Sequence, residues 1–278
     1  MEGFSLDVTL VDVGVSAGLL TIWFSSADVL AVLFASPAQT AAVVIFDRAA
    51  GSGTSRGVSA RTHLGYALQL RGDYADSDDV YRRALATSLA HGPTTSYSAC
   101  SLRQKLATNL RLEHHPREAI GQLEALTTDA CFSTLDDSDQ WRPTVLATLS
   151  EAQLDSGDAA GALANAQSAL TFARKAFPER HFRLGISLFA VARAQLAAGN
   201  LDAADGALRE ALAVRSPPHP AGDPRVLEVR VEQARVLQRR GKRDEASKLT
   251  DEIRPLLAAS NSPYARDLSV RLDNPTLP

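Results

Sequence analysis

The sequence is poor in aromatic residues, which make up 6% of its 278 positions, whereas 45% of its residues are hydrophobic. Alanine and leucine are frequent, and a core of small and aliphatic side chains favours closely packed helices over a strand-rich core. The excess of either charge is small, because the formal net charge is −3. Such a balance gives no general attraction to nucleic acid. The composition therefore predicts an all-α protein without a nucleic-acid partner.

The sequence also lacks the short motifs that identify enzymes. It contains no GxxxxGK[ST] phosphate loop, HExxH or GxSxG motif, and no kinase catalytic loop. The glycine-rich stretch 51–57, GSGTSRG, has no lysine. We therefore expect no enzymatic activity, no catalytic residues and no cofactor.

Two polar stretches contain residue types that can bind metal. Adjacent side chains on a helix point about 100° apart, so the pair His114 and His115 seldom chelates one ion and is better explained as a solvated turn. The acidic stretch 135–140, LDDSDQ, lacks the glycine and the distal glutamate of a calcium loop. No metal site is predicted.

Cysteine is nearly absent, and Cys100 and Cys131 lie 31 residues apart. This spacing forms neither a CxxC motif nor a disulfide framework, so we expect buried thiols in a reducing compartment. A secretory signal is also lacking, because the early charges are acidic and no basic residue precedes Arg48. These features predict a cytoplasmic protein.

A turn-like motif recurs at intervals of 42 or 43 residues. The turn residues of its five copies are Gly72, His114, Gly157, Gly199 and Gly241. A small residue follows each of them five positions later: Ser77, Ala119, Ala162, Ala204 and Ala246. Another small residue lies seven positions before each: Gly65, Ala107, Ser150, Ala192 and Ala234. Repetition at this period indicates a solenoid of helix hairpins.

Each recurring position has a physical reason. Glycine can adopt the left-handed conformation that ends the first helix of a hairpin. The two sets of small residues lie on facing helices and let their backbones approach closely, while large residues such as Tyr81 fill the remaining space. We therefore predict five long hairpins, at about 57–90, 98–130, 142–177, 181–214 and 224–258.

These positions resemble the tetratricopeptide repeat. The segment 64–85, LGYALQLRGDYADSDDVYRRAL, matches its pattern well, and 191–212 matches nearly as well. The period exceeds the usual 34 residues or so, and the longer form resembles repeats of the kinesin light chain type. Such repeats are common in bacterial proteins, including the C-terminal regions of some bacterial serine/threonine kinases. The resemblance implies a right-handed superhelical solenoid over residues 58–272, followed by a tail at 273–278.

The chain ends are predicted separately from the repeats. A short helix at about 263–272 is expected to cover the exposed face of the last repeat, because terminal repeats need a cap. Residues 1–50 do not fit the period, and between 13 and 46 the only charge is Asp28. This hydrophobic extension is interpreted either as a membrane-associating segment or as a segment packed against the first repeat. Residues 51–57 are expected to form a linker.

The resemblance implies that the first helix of each hairpin lines a concave binding groove. We expect exposed groove residues at Tyr66, Gln69, Gln104, Thr108, Arg111, Glu151, Phe189, Arg193, Arg235, Gln238 and Arg239. Arginine can hold a carboxylate with two hydrogen bonds, and the apolar neighbours supply pockets. One hypothesis is a scaffold or adaptor that binds an acidic and apolar peptide in this groove. In the alternative interpretation the arginines are solvated, or pair with Glu151, Glu228 and Glu232.

A regulatory or sensor module of a bacterial signalling system, associated with a kinase and tethered to a membrane, is the second functional hypothesis. Resemblance to kinase-associated repeats implies no kinase activity in this chain, which lacks the catalytic loop. The partner itself is not encoded in the repeat pattern.

Overall fold

The computed structural model describes residues 14–16, 19–21, 55–94, 96–216, 220–260 and 263–274. Two short antiparallel strands come first, β1 (Gly14–Ser16) and β2 (Leu19–Thr21), with Val15 paired to Leu20. Everything described after residue 54 is helix, turn or loop. The prediction of an all-α solenoid is confirmed for this region.

Five helix hairpins follow one another along the chain. Their helices are α1 (Ser55–Arg71) and α2 (Tyr74–His91), α3 (Tyr97–Leu112) and α4 (Pro116–Thr128), α6 (Arg142–Asp155) and α7 (Ala159–Ala176), α8 (Leu184–Ala197) and α9 (Leu201–Arg215), and α10 (Pro224–Arg239) and α11 (Arg243–Ala258). A one-turn helix, α5 (Ala130–Ser133), follows the second hairpin, and α12 (Pro263–Asp273) follows the fifth. Helix α1 begins at Ser55, inside the stretch 51–57 that was expected to be a linker.

The turn residues adopt the conformation that the period predicted. Gly72, Gly157, Gly199 and Gly241 all have positive φ, between 72° and 90°. The remaining marker, His114, has φ 63° and is the non-glycine residue with positive φ among those described. The main-chain geometry of the turn is therefore conserved along the array even where its preferred residue is not.

The small residues bring facing helices together as expected. The hydroxyl of Ser77 donates a hydrogen bond to the Gly65 carbonyl at 2.7 Å, and Ser150 donates to the Ala162 carbonyl at 2.8 Å. The Tyr81 ring covers Gly65 so closely that a Cβ there would lie 2.4 Å from the ring. Larger residues at these positions would force the two helices of a hairpin apart.

The cores are continuous between neighbouring hairpins. One cluster joins the second, third and fourth hairpins, with Leu123, Val145 and Leu154 among its buried members. The first helices of successive hairpins also contact each other directly, and side chains bridge them, as Gln104 does to Thr148 at 3.0 Å. The first helices therefore lie closer to one another than the second helices do. This spacing places α1, α3, α6, α8 and α10 on the inner side of the curved array.

The expectation of two free thiols is wrong, because Cys100 and Cys131 form a disulfide with a Cα–Cα distance of 6.0 Å. Asp129 accepts a hydrogen bond from the Cys131 amide and starts the extra turn α5. This turn carries Cys131 back to the first turn of α3, where Cys100 lies. The repeat period contains no sign of that extra turn, and the bond removes the argument for a reducing compartment.

The two interpretations of the hydrophobic extension concern residues 13–46, which lie outside the described residues except for β1 and β2. Among the helices that the structure describes, none is both long and apolar enough to cross a membrane.

Helix α12 covers the last hairpin, as a terminal cap was expected to do. Its residues Leu268 and Leu272 are 1% exposed and pack against Leu227 and Val231 of α10 and Ile253 of α11. The helix also extends to the other end of the array. The Pro263 ring lies against the first turn, so that a Cβ on Gly72 would be 2.2 Å from Pro263 Cγ.

Candidate functional site

The inner face of the first two hairpins is polar and partly open. Tyr66, Gln69 and Thr108 are each half-buried. Gln69 donates a hydrogen bond to Asn109 at 2.6 Å, and Asn109 donates to Ser77 at 3.0 Å. These hydrogen bonds fix α1 against α3, and Tyr66, Gln69 and Thr108 remain partly exposed.

Gln104 was expected to be exposed in the groove and is buried instead, at 7% exposure. Its amide donates hydrogen bonds to Thr108 and Thr148, both at 3.0 Å. The side chain thus lies between α3 and α6 and acts as a bridge that sets their spacing.

Lys105 has an unusual environment beside this face. Its Nζ lies 5.5 Å from the centre of the Tyr66 ring and 5.9 Å from that of Tyr81. Burial lowers the pKa of Lys105 to about 8, and the positive charge of Arg183 acts in the same direction. Contacts with the two ring faces compensate part of the desolvation cost of the ammonium group.

An ion-pair network lines the inner face from the second to the fourth hairpin. Arg111 pairs with Asp155 at 2.8 Å and lies 4.0 Å from Glu151. Arg193 pairs with Glu151 and lies 3.5 Å from Asp155. Each of these pairs joins first helices of neighbouring hairpins, so opposite charges alternate along the groove.

The network continues into the fifth hairpin and α12. Arg235 holds Glu232 through two hydrogen bonds from Nη1, at 2.6 and 2.9 Å. Glu232 also lies 4.0 Å from Arg193 Nε and 3.8 Å from Arg271 of α12. Burial lowers the pKa of Arg193, and the nearby positive charge of Arg271 contributes in the same direction. One buried glutamate is therefore shared by three arginines.

Two predicted groove arginines are not exposed. Arg193 and Arg235 are each 2% exposed, and their charges are paired with Glu151 and Glu232. The interpretation in which these arginines pair with acids of the chain is the one that the structure supports. An acidic peptide would have to compete with carboxylates that are already in place.

Phe189 is a further correction, because it is 7% exposed and belongs to the core of the fourth hairpin. Its ring lies 5.1 Å from the guanidinium of Arg215 at the end of α9. At the equivalent position of the fifth hairpin, Val231 is also buried, in the cluster that contains Leu268 and Leu272 of α12.

The last two predicted residues lie at the end of α10. Gln238 is half-buried and donates a hydrogen bond to the Leu272 carbonyl of α12 at 3.3 Å. Arg239 is exposed and donates to the Leu196 carbonyl of α8. Gln238 therefore contacts α12, and Arg239 joins two first helices.

The polar stretches considered as metal sites form no ligand cluster within the described ranges. His114 occupies the left-handed turn position. In the acidic loop, Asp136 accepts a hydrogen bond from the Ser138 amide, Asp137 pairs with Lys175 at 2.6 Å, and Asp139 accepts from the Trp141 amide at 2.7 Å. These carboxylates cap turns and pair with a cation.

Sequence reasoning named Glu151, Glu228 and Glu232 as partners of the arginines in one interpretation, but it missed Asp155 and the contacts that α12 makes with these acids. Tyr264 of α12 donates a hydrogen bond to Glu228 of α10, and burial raises the Tyr264 pKa well above its usual value. One signal was present in the sequence: Glu151 and Arg193 occupy equivalent positions 42 residues apart. Opposite charges at equivalent positions of adjacent repeats meet between neighbouring first helices.

Comparison with known proteins agrees with this geometry. A family model described as tetratricopeptide repeat matches residues 58–90. A search of the curated proteins found no significant match.

Several solved structures share the fold. One is a kinesin light chain-type protein of Podosopora anserina with nearly identical TPR-like repeats, at 21% identity and a TM-score of 0.51, covering 73% of this chain and 96% of that one. BtubC (BKLC) from P. vanneervenii is 16% identical with a TM-score of 0.57, covering 85% and 92%. A Rap protein complexed with Competence and Sporulation Factor is 14% identical with a TM-score of 0.62, covering 78% of this chain and 58% of that one.

Proposed function

Since the chain is built from long, kinesin light chain-like tetratricopeptide repeats, we propose that it is a non-catalytic scaffold that binds a protein or peptide in its concave groove. The observation that carries this proposal is the character of the inner face. Hydrogen bonds and ion pairs join α1, α3, α6, α8 and α10 there. Polar side chains on rigid helices give a preorganised surface for a partner.

The accessible part of this surface lies near the first two hairpins. Tyr66, Gln69 and Thr108 are half-buried, and Arg111 keeps 14% of its side chain exposed. Tyrosine and arginine are the residue types that most often supply binding energy at protein interfaces. A Rap protein, whose fold is similar, is known in complex with Competence and Sporulation Factor, which supports binding as a use of this fold.

The proposal is tested by mapping where a partner touches the full-length chain. A photo-crosslinking amino acid is placed at Thr108 on the inner face of α3, and the control carries it at Thr171. Thr171 lies exposed on α7, the second helix of its hairpin. After irradiation in cells, crosslinked proteins are identified by mass spectrometry.

We expect one or a few proteins to crosslink at Thr108 and to be absent from the Thr171 sample. Equal crosslinking at both positions, or crosslinks at Thr171 alone, would contradict binding in the groove.

A further inference from the structure

Helix α12 lies inside the groove as well as over the last hairpin. Pro263 rests against Gly72 at the first turn, while Leu272 accepts a hydrogen bond from Gln238 at the end of α10. Between these ends, Arg271 approaches Glu232 at 3.8 Å. An ordinary cap would contact the last hairpin alone, whereas α12 touches both ends of the array.

The contacts of α12 have the form of a bound amphipathic helix. Leu268 and Leu272, four residues apart, insert into an apolar site made by Leu227, Val231 and Ile253. Beside this site, Glu228 accepts a hydrogen bond from Tyr264, and Glu232 faces Arg271. Two leucines provide apolar burial, and a hydroxyl and a cation of α12 add contacts to two carboxylates that already pair with Arg215 and Arg235.

The inner face beside α12 is charged, and this affects the free-energy cost of releasing α12 from the groove. Glu232 is 1% exposed and Arg193 is 2% exposed, so both lose most of their hydration there. Burying such charged groups costs desolvation free energy, and ion pairing does little more than offset that cost. Exposing them to water is therefore less costly than exposing an apolar face of equal area.

Helix α12 is held along one face, where Tyr264, Arg271 and Asp273 contact Glu228, Glu232 and Arg254 in addition to its apolar contacts. It is 11 residues long, and Ala265, Leu268 and Leu272 are its buried residues. Its outer side is solvated, since Val270 is 51% exposed. A helix this short has little stability of its own, so its place in the groove depends on those contacts.

We propose that α12 is an exchangeable occupant of the groove, and that the partner is a short amphipathic helix of the same chemistry. Such a helix carries two leucines four residues apart, an arginine directly before the second leucine, and a tyrosine one turn before the first. This inference rests on the proposed function and adds the partner's class and its regulation. The partner and α12 compete for Glu228, Glu232 and the apolar site, so the free chain is self-inhibited.

The test measures binding of a fluorescein-labelled peptide with the sequence of residues 263–273 to the full chain by anisotropy. Three proteins are compared: the wild type, the double variant Leu268→Ala, Leu272→Ala, and the control Val270→Ala. The double variant weakens the internal helix, whereas Val270→Ala removes apolar atoms from the solvated side of α12. Circular dichroism confirms that each protein is folded.

We expect the double variant to bind the peptide at least about tenfold more tightly than wild type and Val270→Ala, because apparent affinity rises with the open fraction. Adding Glu228→Gln and Glu232→Gln to the double variant should reduce that affinity about tenfold or more. Equal affinity in the double variant and the control would show that α12 is a fixed cap, and would overturn the inference.

A second pair of variants leaves α12 unchanged. Gly72 and Gly157 have similar positive φ, 83° and 90°, but a Cβ at Gly72 strikes Pro263 while a Cβ at Gly157 meets nothing within 4 Å. Both alanine variants carry the same backbone strain, and Gly72→Ala alone pushes α12 away. Peptide binding should strengthen in Gly72→Ala and not in Gly157→Ala; equal binding would contradict the inference.

The outcomes separate this inference from the proposed function. Unchanged peptide affinity in all variants, together with a partner crosslinked at Thr108, would refute exchange of α12 and leave groove binding intact. Peptide binding that follows the predicted order, without any crosslink at Thr108, would instead restrict binding to the α10 end of the groove.

Discussion

Replacing His114 by glycine is expected to stabilise the second hairpin. His114 has φ 63° at a position where four other turns carry glycine. A left-handed conformation costs an L-residue about 1–2 kcal/mol, while glycine adds about 0.5–1 kcal/mol of unfolded-state entropy. The difference predicts a gain of about 0.5–1 kcal/mol in the free energy of unfolding. No contact is lost, because the His114 side chain is exposed.

The assay is urea unfolding followed by circular dichroism, with two controls. His115→Gly changes a neighbouring exposed residue whose φ is −107°, so no strain is relieved and stability should stay equal or fall slightly. Gly157→His introduces the strain where a Cβ meets nothing within 4 Å and should cost a similar amount. If His114→Gly leaves the midpoint unchanged or lowers it while the controls behave as expected, the turn-strain reasoning is refuted.

Three further predictions concern the interior. Replacing Cys100 and Cys131 by alanine should lower the free energy of unfolding by about 3–4 kcal/mol, and an unchanged urea midpoint would contradict this. Burial lowers the pKa of Lys105 to about 8 from 10.5, so the unfolded chain binds more protons than the folded chain between those pH values. The contribution of Lys105 to the free energy of unfolding therefore rises with pH across that window. Lys105→Met should remove this rise, as measured by thermal unfolding at a series of pH values. Arg193→Met should lower the free energy of unfolding by about 3–5 kcal/mol, because it leaves Glu151 buried without its partner. The control Arg209→Ala, on the exposed side of α9, should lower it by under about 1 kcal/mol. Similar losses in the two variants would contradict a stabilising role of the ion-pair network.

Much of the fold could be predicted because the repeat imposes a main-chain requirement at fixed intervals. The left-handed turn needs glycine, and Gly72, Gly157, Gly199 and Gly241 mark it directly. The small residues are equally informative, since Ser77 can donate to the Gly65 carbonyl only if both helices approach closely. The predicted hairpin limits lie within three residues of the helix ends in the structure.

The groove was harder to predict because the same helix face serves two purposes. Phe189 lies ten positions before its turn marker, and it is buried in an apolar cluster that also contains Val229 and Val236 of the fifth hairpin. Arg193 does face the inner side, but a partner one period away, Glu151, neutralises it. A single hairpin's pattern gives the direction of a side chain, whereas the exposure of that side chain depends on the neighbouring hairpin.

Features outside the period could not be predicted from it. The disulfide depends on the extra turn α5, which Asp129 starts at its amino end. The path of α12 depends on the curvature of the whole array, which brings Pro263 to Gly72 although 191 residues separate them in the sequence. Curvature accumulates from small rotations between hairpins and has no local sequence signal.

The most direct test of the central claim is hydrogen exchange on the full chain, measured with and without the partner that crosslinking at Thr108 identifies. Binding in the groove with exchange of α12 predicts that amides of α3, α6 and α10 become more protected while those of Pro263–Asp273 become less protected. Protection confined to the second helices α7 and α9, with α12 unchanged, would contradict it.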